Sequence, residues 1–243
     1  SFTGSLAITT TSGPGLALKA EGLGLAIMAE LPLVVVNVQR GGPSTGLPTK
    51  TEQSDLMQAL YGRNGESPSV VLASSTPGNC FDWAYMASKI TLEHNTPVVL
   101  LSDGYLGNGA EPWKIKSTMD MPEINPSVAL EGEEYQPYAR DEKTLARKLA
   151  LPGTKGLEHR LGGLEKEDIT GNVSYDPENH EKMVGIRAEK INRIADIIPN
   201  QEIFGKEEGD LLVVGWGGTH GSLYSGVDNL QKTGEKIALC QFN

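Results

Sequence analysis

The side chain of Arg40 is the strongest candidate in this sequence for binding a ligand. It follows a valine-rich segment, residues 33–38, that is typical of a buried strand, and Gly41 and Gly42 after it leave its surroundings open. A guanidinium group in such a place can hold a carboxylate through two parallel hydrogen bonds. The alternative is a structural ion pair with an Asp or Glu at the edge of the loop, and the residues alone leave both interpretations open.

A serine in the same loop suggests a second kind of chemistry. Residues 42–46, GPSTG, fit the G-x-S-x-G pattern of a hydrolase nucleophile elbow, with Ser44 as the nucleophile. Such an elbow needs its serine on a sharp turn directly between a strand and a helix, whereas several residues separate Ser44 from the predicted strand. Either His159 or His180 would have to be the base, and nothing in the sequence links them to Ser44. An α/β serine hydrolase is therefore an alternative function.

Two further glycine-rich loops lie between a predicted strand and a predicted helix. In residues 10–15, TTSGPG, the backbone N–H groups of Thr11, Ser12 and Gly13 can hold an anion at the start of the helix, or the loop can be a tight turn capped by Ser12. Residues 215–221, GWGGTHG, are similar to a dinucleotide-binding fingerprint, but a histidine stands where the last glycine is needed. We interpret this second loop as a turn that opens a second domain.

The composition argues against several classes of partner and cofactor site. A formal net charge of -10 argues against a nucleic-acid backbone as a partner. No segment approaches the ~20 apolar residues that a membrane span requires. The two cysteines do not form a Cys-x-x-Cys pair and the four histidines lack metal-ligand spacing, so we expect no metal or iron–sulfur site within this chain. A cytoplasmic chain is expected.

The candidate residues must be positioned by a parallel sheet. Short apolar runs alternate with longer periodic segments over the first 110 residues, which predicts strands at 6–10, 33–38, 69–73 and 97–101 and helices at 16–30, 53–61 and 78–95. Continuous apolar strands between helices indicate a doubly wound, mostly parallel α/β sheet that is covered on both faces. Ligands bind at the carboxyl ends of the strands in such sheets, and Arg40 lies at one of these ends.

The rest of the chain divides into an irregular segment and a second unit. Residues 111–177 lose the periodic pattern and are rich in proline, glycine and charge, which is typical of a functional or partner-covered segment. A helix is predicted at 178–198, a linker at 199–209, and a strand, helix and strand at 210–216, 222–233 and 236–240. Because strand-like runs lie close to both ends of the sequence, we expect this chain to be a fragment of a longer protein.

Six segments together resemble the alpha subunit of 2-oxoacid:ferredoxin oxidoreductases. They are TTTSGPG at 9–15, VNVQRGGPSTGLPTKT at 36–51, QSDLMQALYGRNGE at 53–66, LSDGYLGNGAEPW at 101–113, LEHRLGGLEKEDITGNVSYDPENH at 157–180 and GDLLVVGWG at 209–217. The resemblance covers essentially the whole chain, and the stretch 40–49 is its most specific part. Residues 158–180 resemble the 2-oxoglutarate branch most.

The resemblance implies a thiamine diphosphate-dependent enzyme. Residues 1–205 would form the domain on the pyrimidine side of the cofactor, and residues 209–243 would begin a transketolase C-terminal-like domain. Arg40 matches the position that grips the carboxylate of the 2-oxoacid, and the hydroxyl of Thr49 would assist by hydrogen bonding. The implied reaction is the oxidative decarboxylation of a 2-oxoacid to an acyl-CoA, from 2-oxoglutarate to succinyl-CoA, with electrons passing to ferredoxin and coenzyme A as the co-substrate.

The resemblance also implies a partner. In the family a beta subunit binds the diphosphate, the magnesium ion (Mg2+) and a 4Fe-4S cluster. The family's Tyr-Pro-Ile-Thr segment and the glutamate that activates the aminopyrimidine would precede residue 9, so we expect this stretch alone to be inactive and to bind thiamine diphosphate weakly. A non-catalytic scaffold subunit is the alternative from another class of function.

Two groups of residues complete the expected site. Three residues of the first glycine-rich loop are the candidate cofactor contacts beside Arg40: Thr11, Ser12 and Gly13. Three residues of the irregular segment are, from their charge and placement, the candidate contacts for a second carboxylate on the substrate: Lys155, His159 and Arg160.

Overall fold

The computed structural model describes all 243 residues and begins with a four-stranded sheet. Its strands are β1 (Ala7–Thr11), β2 (Leu33–Gln39), β3 (Val70–Ala73) and β4 (Pro97–Asp103), and they run parallel in the order β1-β2-β4-β3. The helices that accompany them are α1 (Gly13–Leu18), α2 (Ala20–Met28), α3 (Leu56–Tyr61), α4 (Asn79–His94) and α5 (Gly104–Asn108). Parallel strands with helical connections are the arrangement that the sequence predicts.

Helices cover both faces of this sheet. On one face Ala87 and Ile90 of α4 pack against the valines and leucines of β2, β3 and β4. On the other face the covering side chains are Leu16, Leu23 and Ala59, from α1, α2 and α3. Burying each large aliphatic side chain contributes about 1.5–3 kcal/mol, so the two apolar layers dominate the stability of the sheet. The predicted α/β fold class is confirmed.

The chain continues into α6 (Pro177–Ile194), which begins where its sequence provides a cap. Asp176 accepts hydrogen bonds from the backbone N–H groups of Glu178 at 2.8 Å and Asn179 at 3.1 Å, and Pro177 suits the first helical turn. The helix ends four residues earlier than predicted, because residues 195–197 tighten into a 3-10 turn. None of the helices in the structure has the length and apolarity required to cross a membrane.

A second, three-stranded sheet follows. It contains β5 (Ile203–Phe204), β6 (Leu211–Trp216) and β7 (Ile237–Phe242), with α7 (His220–Lys232) between the last two strands. β6 runs parallel to β7, whereas β5 pairs antiparallel with β7. The prediction of a plain linker at 199–209 is therefore wrong for β5. A two-residue strand carries too few residues to show a periodic pattern, and its pairing with Cys240 and Leu239 decides its structure.

Two predicted helix boundaries differ for physical reasons. The single helix predicted at 16–30 is two helices that meet at Lys19, and the first starts early because Pro14 fits the first turn of a helix. The helix predicted at 53–61 starts only at Leu56. Residues before it are engaged elsewhere, since the backbone N–H of Asp55 donates to the side chain of Gln39 at 3.1 Å.

From Ser127 onward the irregular segment packs against the amino ends of the parallel strands. Between α5 and α6 the structure has one 3-10 turn, Thr118–Asp120, and isolated bridges. The guanidinium of Arg147 donates to the carbonyl of Ala29 at 2.8 Å, just before β2 begins. The side chain of Asn95, just before β4, donates to the carbonyls of Ser127 and Arg147 at 2.9 Å each. This segment, residues 109–176, is called the extension below.

Candidate active site

Arg40 lies at the carboxyl end of β2, beside the end of β4. The last paired residues of these strands are Gln39 and Asp103, so Arg40 is the first residue beyond the sheet at this edge. The residue is half-buried and takes part in none of the ion pairs of the structure. Its Nε atom is buried without a hydrogen-bond partner. The structural ion pair that was the alternative for Arg40 is therefore not formed.

Arg40 lines a cavity of about 700 Å³ at this edge of the sheet. The cavity is lined by residues from α1, the loop after β2 and the start of α3: Gly13, Pro14, Ala17, Leu18, Arg40, Gly42, Pro43, Ser44, Glu52, Ser54, Asp55 and Gln58. A volume of this order suits a small organic ligand. Arg40 is the one cation among the lining residues, so a ligand carboxylate would find its partner there.

The loop that follows Arg40 closes on itself. Gly41 donates its N–H to the carbonyl of Lys50 at 2.8 Å, and its carbonyl accepts the N–H of Leu47 at 2.8 Å. Gly46 has a φ of +46°, and a side chain there would collide with the carbonyl oxygen of Gly41, so this turn requires glycine. Thr49 lies in the same loop, is exposed and does not line the cavity, so its assisting role stays a prediction.

A network of polar side chains supports the cavity from the sheet side. Asn37 and Gln39 are fully buried at alternate positions of β2, so their side chains share one face. The amide of Asn37 donates to Asp55 Oδ2 at 2.9 Å, and Gln39 accepts the N–H of Asp55 and donates to the carbonyl of Ser102 at 3.1 Å. The sequence analysis missed these residues, although two amides two residues apart at the end of a valine-rich strand are the signal that could have found them.

The first glycine-rich loop contributes a turn to the same cavity. Gly13 and Pro14 line it, and the carboxylate of Asp55 lies so close that a Cβ at Gly13 would stand 2.9 Å from each of its oxygens. Ser12 makes no side-chain capping bond, and the hydroxyl of Thr11 donates to the carbonyl of Ser12 at 3.3 Å. The loop thus stands beside Arg40 as predicted from its position, while the contacts of Thr11, Ser12 and Gly13 with a cofactor stay a prediction.

The structure gives Ser44 no base. His159 and His180, the two histidines considered for that role, do not line the cavity. The Nδ1 atom of His180 lies 2.9 Å from Glu165, and that of His159 lies 3.0 Å from the carbonyl of Leu157. Without a histidine beside its hydroxyl, Ser44 lacks the arrangement that a serine nucleophile needs.

The candidates for a second carboxylate lie away from Arg40. Lys155, His159 and Arg160 belong to the extension, and none of them lines the cavity. The ring of His159 packs edge-on against Tyr135 at 5.5 Å between centroids. Because this part of the extension packs at the amino ends of the strands, these residues and Arg40 do not share a site within this chain. Their contact with substrate stays a prediction.

The loop similar to a dinucleotide fingerprint forms a strand–helix turn. β6 ends at Trp216, residues 217–219 form a 3-10 turn, and α7 starts at His220. The N–H of Gly218 donates to the carboxylate of Asp103 at 3.1 Å. A protein carboxylate therefore occupies the place where a nucleotide phosphate would bind in such a loop. Asp103 also caps α5 through the N–H groups of Tyr105 and Leu106.

Comparison with known families identifies the first part of the chain. Residues 1–176 match the family model described as "Pyruvate flavodoxin/ferredoxin oxidoreductase, thiamine diP-bdg". The matched residues include the whole four-stranded sheet, Arg40, the cavity and the whole extension.

Curated relatives and a solved structure point the same way. The chain is 52% identical over 238 residues to the 2-oxoglutarate oxidoreductase subunit KorA of Mycobacterium tuberculosis, covering 98% of this chain and 36% of the relative. It is 32% identical to the 2-oxoglutarate synthase subunit KorA of Methanothermobacter thermautotrophicus, covering 100% of this chain and 64% of that subunit.

The solved structure is the 2-oxoglutarate:ferredoxin oxidoreductase of Magnetococcus marinus with 2-oxoglutarate, coenzyme A and succinyl-CoA bound. It matches with a TM-score of 0.90 and 37% identity over 99% of this chain and 42% of that one. The chain therefore spans between about a third and two thirds of the length of these relatives.

Proposed function

This chain belongs to the pyruvate flavodoxin/ferredoxin oxidoreductase family with its thiamine diphosphate-binding domain, and we propose that it forms the oxoacid-binding wall of a 2-oxoacid:ferredoxin oxidoreductase. The 2-oxoacid is 2-oxoglutarate, and the product is succinyl-CoA formed with coenzyme A. The proposal extends to the whole enzyme what the names of the relatives say of those proteins.

The observation that carries the proposal is the free guanidinium of Arg40. Its Nε atom is buried without a partner, and it is the one cation lining a cavity that also has two carboxylates, Glu52 and Asp55. An arginine that were merely structural would take one of these carboxylates as its partner. Arg40 is instead available to an external carboxylate, which it can hold through two parallel hydrogen bonds.

The residues of this chain would bind and orient the substrate. Arg40 holds the 2-oxoacid by its carboxylate, and the Thr49 hydroxyl donates a further hydrogen bond when substrate is present. The turn at Gly13, with Thr11 and Ser12 before it, lies on the cofactor side of the cavity. Thiamine diphosphate, when bound, supplies the electron sink that decarboxylation of a 2-oxoacid needs. The lining residues Pro14, Ala17 and Leu18 would exclude water from it.

A partner subunit would complete the site. Leu18 lines the cavity and is 88% exposed, and on α3, next to the lining residue Gln58, Met57 is 65% and Tyr61 72% exposed. Apolar side chains of this size at the rim of a cavity mark a surface that another protein covers. We propose that a beta subunit covers it and carries the diphosphate, Mg2+ and 4Fe-4S sites, and that ferredoxin takes up the electrons.

Substituting Arg40 in the assembled enzyme tests this function. Each charge-assisted hydrogen bond contributes about 1.5–3 kcal/mol, and Arg40 would make two, so Arg40→Met should lower kcat/KM for 2-oxoglutarate by roughly a hundredfold or more. Arg40→Lys keeps the charge but not the planar fork, and we expect a loss of roughly tenfold, mainly as a higher KM. Steady-state kinetics with ferredoxin as acceptor would measure both.

Two controls give this test its meaning. Lys206→Met removes an exposed cation between β5 and β6, away from the cavity, and should leave kcat/KM unchanged. Co-purification with the beta subunit must be the same for all variants. If Arg40→Met assembled normally and turned over at the parent rate, the catalytic role would be wrong and a scaffold role would take its place.

A further inference from the structure

The segment between the Arg40 loop and α3 is hydrogen-bonded to the part of the chain that contains β5, β6, α7 and β7. This part, residues 203–242, is called the second unit. We name this segment, residues 52–55, the stem. Within it the side-chain amide of Gln53 donates to the carbonyl of Trp216 at 2.9 Å and accepts the N–H of Thr219 at 3.1 Å. One side chain thus bonds to both ends of the turn between β6 and α7, across 163 and 166 residues of sequence.

That turn is shaped for close docking. Gly217 has a φ of +64°, and a Cβ there would lie 3.0 Å from the Gln53 Nε2 atom. A Cβ at Gly218 would collide with the carboxylate of Asp103, which accepts the Gly218 N–H. Gln241 donates to the carbonyl of Gly217 at 3.2 Å. The two glycines are therefore explained by the approach of protein side chains rather than by a bound nucleotide.

The stem is also bonded to the chain on both sides of Arg40. Before Arg40, the side chain of Gln39 accepts the N–H of Asp55 at 3.1 Å. After Arg40, the N–H of Gly42 donates to the carboxylate of Glu52 at 2.8 Å. A movement of the stem would therefore move the backbone that carries Arg40.

We propose that Gln53 is a positioning residue for the 2-oxoacid, because it fixes the stem, and through the stem Arg40, against the second unit. The inference rests on the proposed function of Arg40. It gives a role to the motif QSD at residues 53–55, to which the reaction described above assigns none. Gln53 does not line the cavity, so it acts without touching the substrate. It acts by keeping the guanidinium where the carboxylate arrives, and a displaced guanidinium holds the carboxylate of the substrate less tightly.

The test is Gln53→Met in the assembled enzyme, which keeps the size of the side chain and removes both hydrogen bonds. We expect KM for 2-oxoglutarate to rise roughly three- to tenfold while kcat changes less than twofold, since Arg40 binds the carboxylate already in the ground state. Gln136→Met makes the same chemical change at an exposed position of the extension and should leave KM unchanged.

A double-mutant cycle separates positioning from a general structural effect. If Gln53 acts through Arg40, adding Gln53→Met to Arg40→Lys should raise KM less than twofold further. The same fold-increase in both backgrounds, or no increase in the parent, would overturn the proposal. If Arg40→Lys alone left KM unchanged, the proposed function would fail first, so the two failures are distinguishable.

A second variant keeps the test decisive if Gln53→Met does not assemble. Gln53→Glu retains the acceptor for Thr219 N–H but, when ionised, places a carboxylate oxygen against the carbonyl of Trp216. Protonation of that glutamate restores the missing donor. The ratio of its KM to the parent KM should therefore fall towards one as the pH is lowered, and a ratio independent of pH would contradict the role of Gln53.

Discussion

Charged side chains are paired at one edge of the four-stranded sheet, where the strands begin, and unpaired at the other, where the strands end. At the carboxyl edge Arg40 has no partner within the chain and lines a cavity. At the amino edge the carboxylate of Glu30, 1% exposed, lies between Arg140 at 2.6 Å and Lys190 at 2.7 Å. Beside them Arg147 is fully buried, with its guanidinium 5.1 Å from the ring centre of Tyr138. We name these amino-edge residues the Glu30 cluster.

The difference separates structural charge from charge that is free for a ligand. A buried ion without partners costs several kcal/mol, so a cluster that is only structural must satisfy its charges internally. The Glu30 cluster does this and joins three parts of the chain that are distant in sequence: the turn after α2, the extension and α6. Arg40 remains half-buried without a partner, which is the condition expected of a group that awaits a ligand.

The largest expected effect on stability is at the amino edge. Glu30→Gln removes the one carboxylate between Arg140 and Lys190 and leaves two buried cations facing each other. Breaking a buried pair in this way typically costs about 3–5 kcal/mol. Urea unfolding followed by tryptophan fluorescence should show a loss of this size.

A matched substitution on α2, the helix that ends just before Glu30, serves as the control. Glu21→Gln changes an exposed carboxylate of α2 and should shift the free energy of unfolding by less than about 0.5 kcal/mol. Equal effects of the two substitutions would mean that the Glu30 cluster adds nothing beyond surface charge, and the contrast between the edges would disappear.

The same cluster predicts a sensitivity to acid. Burial alone would raise the pKa of Glu30, but the ammonium of Lys190 and the guanidinium of Arg140 outweigh it and lower the pKa from 4.5 to about 2. Since the pKa is lower in the folded chain than in the unfolded one, the stabilisation is complete above pH 4.5 and is lost as the pH falls through about 2. The difference between the two pKa values of Glu30 corresponds to about 3 kcal/mol of unfolding free energy.

Comparing the parent with Glu30→Gln at several pH values measures this contribution. The gap between their free energies of unfolding should be widest at about pH 6 and should narrow at about pH 4 and again at about pH 3. Glutamine does not titrate, so the narrowing reports the carboxylate of Glu30 alone. A gap that stayed constant over this range would show that Glu30 binds protons equally in both states.

The sequence was sufficient to predict the sheet and the place of Arg40. Valine-rich runs between periodic segments specify parallel strands, and the carboxyl end of a strand is a local property of the chain. The contacts of Gln53 and of Glu30 were missed for a common reason. Gln53 meets Trp216 across 163 residues and Glu30 meets Lys190 across 160, and no periodicity or spacing encodes partners so far apart.

The extension shows a second limit of sequence reasoning. Its lack of pattern predicted irregular structure, but not where it packs. Many of the contacts that hold it involve backbone carbonyls, such as Arg147 to Ala29, and a carbonyl is present at every residue. The candidates Lys155, His159 and Arg160 were chosen by their charge and their place in the sequence, and neither carries information on which edge of the sheet this part of the chain covers.

The smallest expected effect is the change in stability caused by Arg40→Met. It tests the comparison of the two edges most directly. Methionine is apolar and of similar length, so the packing of the aliphatic part of the arginine side chain is retained while the charge is removed. Arg40 has no ion pair to lose, and the free energy of unfolding should change by less than about 0.5 kcal/mol. Arg140→Met makes the same substitution at the other edge and leaves Glu30 with one cation instead of two, which should cost several times more, about 3 kcal/mol. Urea unfolding of the two variants measures both changes. Equal losses of unfolding free energy would make Arg40 a structural arginine. If only Arg140→Met lost stability and only Arg40→Met lost turnover of the 2-oxoacid, the amino edge would serve stability and the carboxyl edge ligand binding.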